Sequence, residues 1–196
     1  MALALPLSLA SAAGGVQAAE TNATAAQRIF FIKRSKNANE VHYDARLVNC
    51  TWGRPQVDYY WRDLQKGPDV SSKIMPWEPP AYGFAVSQAS DTEITVVLNA
   101  VSTKPIRVRL SRTEAGACSL SKTVVIGGQA AELDAVYVYA TDGPLGLPQV
   151  QYVDVLGHSP QGQRVYERIA NVERVEQFAP PNDALWTSGA RSAGRP

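Results

Sequence analysis

The feature that most constrains this chain is a two-residue rhythm of apolar and polar side chains. The run Ile106-Arg107-Val108-Arg109-Leu110-Ser111 shows it most cleanly. Only an extended strand turns alternate residues to opposite faces, so the run predicts a half-buried strand with Ile106, Val108 and Leu110 inward and both arginines in solvent. The same rhythm recurs at 28–34, 41–48, 57–62, 82–87, 94–99, 119–126, 133–140, 150–156 and 164–169, which makes about ten strands. Helical periodicity is nearly absent.

The strands are joined by short turn segments at 36–39, 89–92, 114–117, 127–129 and 158–162, rich in Gly, Asn, Asp, Ser and Pro. Short turns connect antiparallel neighbours, whereas parallel strands need crossovers of about a dozen residues, for which there is no room. The expected fold is therefore all-β, an antiparallel meander forming a β-barrel or a two-sheet sandwich. One single β domain is expected over 27–170. Within it, 65–80 reads as an ordered loop, holding Pro68, Pro76, Pro79, Pro80 and Trp77. Beyond the domain, 177–196 turns to Ala, Pro, Ser, Gly and Arg without periodicity and reads as a disordered tail.

The N-terminal stretch 2–13 is Ala- and Leu-rich and uncharged, and small residues lead up to Ala18, so 1–18 reads as a signal peptide. Export to the periplasm or secretion would place the only two cysteines, Cys50 and Cys118, in an oxidising compartment, where they are expected to form a disulfide. No C-x-x-C occurs, so zinc and thioredoxin-type chemistry find no support. With 19 Lys+Arg against 18 Asp+Glu there is no basic field to hold nucleic acid. No apolar run reaches the ~18–20 residues of a membrane span.

Residues that could carry chemistry are few. His42 and His158 are the only histidines. His42 alternates away from Val41 and Tyr43 and is expected to face solvent or a polar rim; His158 lies in Gly157-His158-Ser159-Pro160-Gln161-Gly162, whose second glycine comes one residue too late for a nucleophile elbow and which reads as a hairpin turn. Asp44, Asp58 and Glu167 on strands and Asp63 beyond one could serve a hydrolase acting on a glycan, although polar strand faces produce such sets by default. No metal and no cofactor is implied. A binding or structural module is the favoured reading over an enzyme, with a small molecule, glycan or protein as partner. The densest patch is Lys33, Arg34, Lys36, Asn37 and Asn39 around a tight turn, with Tyr60 nearby, as an anion or carbohydrate site would need. The alternative reading gives Asn37 and Asn39 to left-handed and Asx-turn geometry.

The string Arg34-Ser35-Lys36-Asn37-Ala38-Asn39, with Phe30-Phe31-Ile32 before it and Val41-His42-Tyr43-Asp44 after it, resembles a family of exported bacterial proteins known as a domain of unknown function. Tyr60-Trp61, Ala81-Tyr82-Gly83-Phe84, Tyr152-Val153-Asp154-Val155 and Tyr166-Glu167-Arg168-Ile169 extend the likeness. The resemblance implies an exported β-rich domain and brings no catalytic residues.

Overall fold

A computed structural model describes residues 24–76, 82–143, 148–170 and 178–189. The stretch 1–18 lies outside them, as do 77–80 of the expected loop and 177 and 190–196 of the expected tail. The first strands are β1 (Thr24–Arg34), β2 (Asn37–Val48), β3 (Thr51–Arg62) and the short β4 (Ser71–Lys73), which hold to one another as an antiparallel meander. A second meander runs through β5 (Phe84–Ser90), β6 (Glu93–Leu98), β7 (Ile106–Arg112), β8 (Cys118–Ile126), β9 (Gln129–Asp142), β10 (Pro148–His158) and β11 (Arg164–Ala170). The fold is all-β and sandwich-like, and the sheet does not close into a barrel.

The antiparallel expectation fails at one place. β1 runs parallel to β9, pairing Phe31 with Ala135 through Arg34 with Val138. This needs no crossover helix, because the intervening meander itself carries the chain round. One edge of β9 is shared between β8 at its N-terminal end and β1 further on, while β10 accompanies it from Glu132 to Asp142. β9 is thus the seam of the molecule.

The core lies between the two meanders. Phe30, Ile32 and Tyr43 meet Ile94, Val96, Ile106, Val108 and Leu133 there. The Phe30 and Tyr43 rings stack with centroids 4.4 Å apart. β7 alternates as its sequence demands, with Ile106, Val108 and Leu110 buried and Arg107 and Arg109 exposed. Each such aliphatic side chain contributes ~1.5–3 kcal/mol by leaving water.

Alternation is lost in β2 and β10. Glu40 to Ala45 are all buried, and so are Tyr152 to Gly157. A strand buried on both faces needs a cover on each. The second cover is residues 178–189, within the segment whose composition reads as structureless. Trp186 packs with Phe31, Ala135 and Leu156 and donates its indole N–H to the Gly157 carbonyl at 3.2 Å. Phe178 lies against the Tyr139 and Tyr152 rings. We call this segment the strap. Its two large apolar anchors outweigh a polar composition.

At the β2–β3 turn, Asn49 and Cys50 adopt φ of 51° and 60°, the left-handed geometry that a two-residue hairpin requires. Cys50 is disulfide-bonded to Cys118 at the start of β8, which ties the first meander to the second.

Candidate functional site

The β1–β2 turn is the two-residue Ser35-Lys36, and the site residues expected around it divide between two faces. Arg34 lies toward the core side. Its guanidinium stacks 4.4 Å from the Trp61 ring, donates to the Tyr82 hydroxyl at 3.1 Å and donates to Asn37 Oδ1 at 2.9 Å. Its Nε is buried without a hydrogen-bond partner. Lys36 is exposed and paired with Asp142. Asn37 does not take the left-handed conformation expected of it; its side chain instead accepts from Asn39 N at 3.1 Å, an Asx turn, and Asn39 Oδ1 accepts from Gln65 N at 3.3 Å. Arg34 and Lys36 border a cavity of about 140 Å3 whose other walls are Tyr82, Ala100, Val138, Ala140, Pro148 and Val150. Two cations thus meet an apolar recess at one end of the sandwich.

Lys33 and Tyr60 belong to the opposite face, that of the strap. There β2 presents Glu40, His42 and Asp44 in a row, as the two-residue period dictates. Asp44 is held by the Arg28 guanidinium and accepts from the Tyr60 hydroxyl at 2.7 Å. His42 is not in solvent or at a polar rim as expected but fully buried, beneath Ser188 of the strap and beside Tyr60 and Phe31. His42 Nε2 lies 2.7 Å from Glu40 Oε2, and Glu40 is equally inaccessible. Ser188 Oγ donates to that same Oε2 at 2.5 Å, and the Gly189 amide donates to Oε1 at 2.8 Å. Lys33 Nζ is 3.5 Å from Oε1.

Burial pushes the Glu40 carboxyl upward, but the hydrogen bonds from His42, Ser188 and Gly189 and the charge of Lys33 outweigh it, and the group is held below its ordinary value. Burial likewise pushes His42 below the usual imidazole value, against the Glu40 hydrogen bond and aided by the Arg28 charge. Its Nδ1 is buried with no partner. Serine, histidine and carboxylate invite comparison with a hydrolytic triad. In a triad, however, the carboxylate holds one ring nitrogen and the serine the other. Here both meet Nε2, and the serine donates to the carboxylate, so the cluster is a fastening.

The remaining polar groups separate in the same way. His158 is paired through Nδ1 with Asp134 and lines a cleft of about 390 Å3 with Lys122, Glu132 and Ser159. Burial raises the Asp134 carboxyl against the pull of His158. Ser159 Oγ accepts from the amides of Gln161 and Gln163, each at 3.3 Å, which fixes a hairpin turn and leaves no elbow nucleophile. Asp44 and Asp58 stand opposite each other on β2 and β3, but Arg28 holds the first and Arg46, at 3.8 Å, the second. Asp63 pairs with Lys66 at 2.7 Å and Glu167 with Lys104 at 2.6 Å. The Lys66 hydrogen bond holds the Asp63 carboxyl below its ordinary value, and against burial Lys104 and the Gly127 amide do the same for Glu167, which makes these two poor proton donors, whereas a glycosidase needs one of its pair protonated. Among the described residues, no three His, Cys, Asp or Glu side chains converge as a metal site requires, and no helix is long and apolar enough to cross a membrane.

Fold and hairpin together define the class: an all-β, sandwich-like domain with a cationic turn beside an apolar recess at one end. The chain belongs to the family described as a domain of unknown function, DUF4833, whose profile matches residues 30–168. No curated protein and no solved structure matches the chain. The Arg34 to Asn39 string falls inside the matched span and the strap outside it.

Proposed function

We propose that the domain is a binding module, exported to the bacterial periplasm or beyond, that takes a small molecule with an apolar body and an anionic head at the Arg34–Lys36 recess. The observation that carries this is the placement of two cations against walls that are otherwise almost wholly apolar. An anion there would meet the Arg34 guanidinium and a lysine at the mouth. Charge-assisted hydrogen bonds supply orientation, and apolar contact supplies affinity. Size narrows the ligand further. Sites for drug-sized molecules run ~300–1,000 Å3, so a recess of about 140 Å3 fits a short-chain or single-ring acid. The Cys50–Cys118 bond supports an oxidising compartment, as does the apolar N-terminal stretch.

Thermal-shift and calorimetric titration of the purified domain with short-chain and aromatic carboxylates tests the reading. At least one acid is expected to raise the melting temperature, with affinity falling about tenfold or more in Arg34→Gln, the loss expected for a hydrogen bond to a charged group. Ala140→Phe, which fills the recess, should abolish binding. If no acid binds, or if both variants bind as the parent does, the recess is not the site. Recovery of Cys50 and Cys118 as free thiols from the native compartment would separately refute export.

A further inference from the structure

The strap is held in an unusual way for a covering segment. Among the described residues no backbone-to-backbone hydrogen bond joins it to the sheet; its only such bonds are internal, in the turn Asp183–Leu185. Side chains of the domain grip it instead. Lys33 Nζ donates to the Ala184 carbonyl at 2.7 Å, and Arg168 donates to the carbonyls of Phe178 and Ala179 at 3.1 and 3.0 Å. Glu40 spends one oxygen on the Gly189 amide and the other on the Ser188 hydroxyl. Trp186 fills an apolar pocket and is fastened by its indole N–H.

This is the chemistry of a peptide groove, with main-chain clamps, two aromatic anchors, Trp186 and Phe178, and a carboxylate that reads a small hydroxyl followed by glycine. Glycine fits best at the last position, because a Cβ on Gly189 would come within 2.9 Å of Leu64 Cδ1 and that side chain would have to shift. Charge agrees as well. The strap brings Asp183, which pairs with Arg164, to a face that also offers Lys33 and Arg168. Every gripping residue named here lies within the matched 30–168, and the gripped segment lies beyond it.

We propose that this face is a docking groove for a Trp-x-Ser-Gly segment, and that its occupant can be supplied in trans by the strap of a second copy of this chain. Seven residues join β11 to the strap, and among the described residues its release breaks no strand pairing, so exchange leaves the sheet described here intact. In such a pair each copy completes the other's Glu40–His42 seat, an isologous arrangement that closes with two subunits.

Complementation between two full-length chains tests it. Glu40→Gln keeps the strap and weakens the seat; Trp186→Ala keeps the seat and weakens the strap. Each alone should sediment as a monomer, and their mixture should give a 1:1 species. A labelled peptide of residues 182–189 should bind the Trp186→Ala chain at least about tenfold more tightly than the parent, whose tethered strap competes at high effective concentration. A mixture that stays monomeric while the Trp186→Ala chain melts cooperatively overturns the proposal, as does absent peptide binding by that chain. Gly189→Leu serves as a second strap-weakened chain. If neither Trp186→Ala nor Gly189→Leu folds, the strap is an inseparable part of the core, and the proposal falls on that result too.

Discussion

The Arg168 guanidinium meets both oxygens of the Asp154 carboxylate, at 2.7 and 2.8 Å, directly across the β10–β11 pairing. Asp154 is fully buried, so its charge is tolerable only because Arg168 neutralises it there. The same guanidinium stacks 4.0 Å from the Tyr152 ring and carries one end of the strap. Arg168→Met should therefore destabilise the domain by ~3–5 kcal/mol in urea unfolding, since an unpaired charge is left inside. Adding Asp154→Asn should restore a good part of that loss. A single mutant no less stable than the parent would show that water reaches Asp154.

Acid should loosen the strap face in two stages. His42 is held below its ordinary 6.5 and Glu40 below its ordinary 4.5. A group with a depressed value in the fold contributes stability that is complete above its unfolded value and lost as pH falls through the folded one. Melting temperature should accordingly decline below about pH 6.5, where the unfolded chain binds a proton at His42 and the fold still resists one, and more steeply below about pH 4.5, where the same holds at Glu40. His42→Gln places an amide donor where Nε2 was and cannot titrate. It should remove the first decline and spare the second, and an unchanged profile in the variant would assign the first stage elsewhere.

Removing the Cys50–Cys118 bond should destabilise the domain by ~4 kcal/mol on the chain-entropy account of a 68-residue separation. Comparing urea midpoints of the oxidised parent and a Cys50→Ser, Cys118→Ser double variant measures it. Equal midpoints would mean that the β2–β3 turn and the start of β8 are held in place without the bridge.

Gly157→Ala should be among the most damaging small substitutions. A Cβ there would stand 2.2 Å from the Glu132 carbonyl and 2.9 Å from Ile126 Cδ1, where β10 crosses close to β9. The first neighbour is backbone and cannot rotate aside, so the strands must part. Overpacking of this kind costs about 1–3 kcal/mol, and the lowered melting temperature should come with loss of the Trp186 environment in near-ultraviolet dichroism, because Gly157 also accepts the indole N–H.

The sequence made β7 legible because its two arginines leave one face no choice, and their exposure in the structure follows from it. Ten of the eleven strands carry enough alternation to be found. β4 does not, for Ser71-Ser72-Lys73 is three exposed residues placed only by pairing with Tyr60 to Arg62. The parallel β1–β9 pair has no local signature, since the direction of a neighbour leaves no mark on a strand's own pattern. The burial of His42, with Glu40 beside it, escapes sequence reading for a related reason. Alternation says which residues share a face, whereas burial of the polar face depends on a cover roughly 150 residues away in sequence. The available hint was Leu185-Trp186, a large apolar pair in an otherwise polar tail.

The seam at β9 also bears on how the chain reaches this state. Each meander can zip from neighbouring hairpins, but β1 must find a partner roughly a hundred residues downstream, and contacts of that separation are the slow ones to close. Until β9 arrives, β1 presents a bare edge bearing Phe30, Phe31 and Ile32, the kind of template on which extended chains pile up. A holdase that shields this one edge would be expected to raise the yield of soluble protein more than any stabilisation of the finished core, and slowing β9 by mutation should divert the chain into aggregates before it lowers the melting temperature of what does fold.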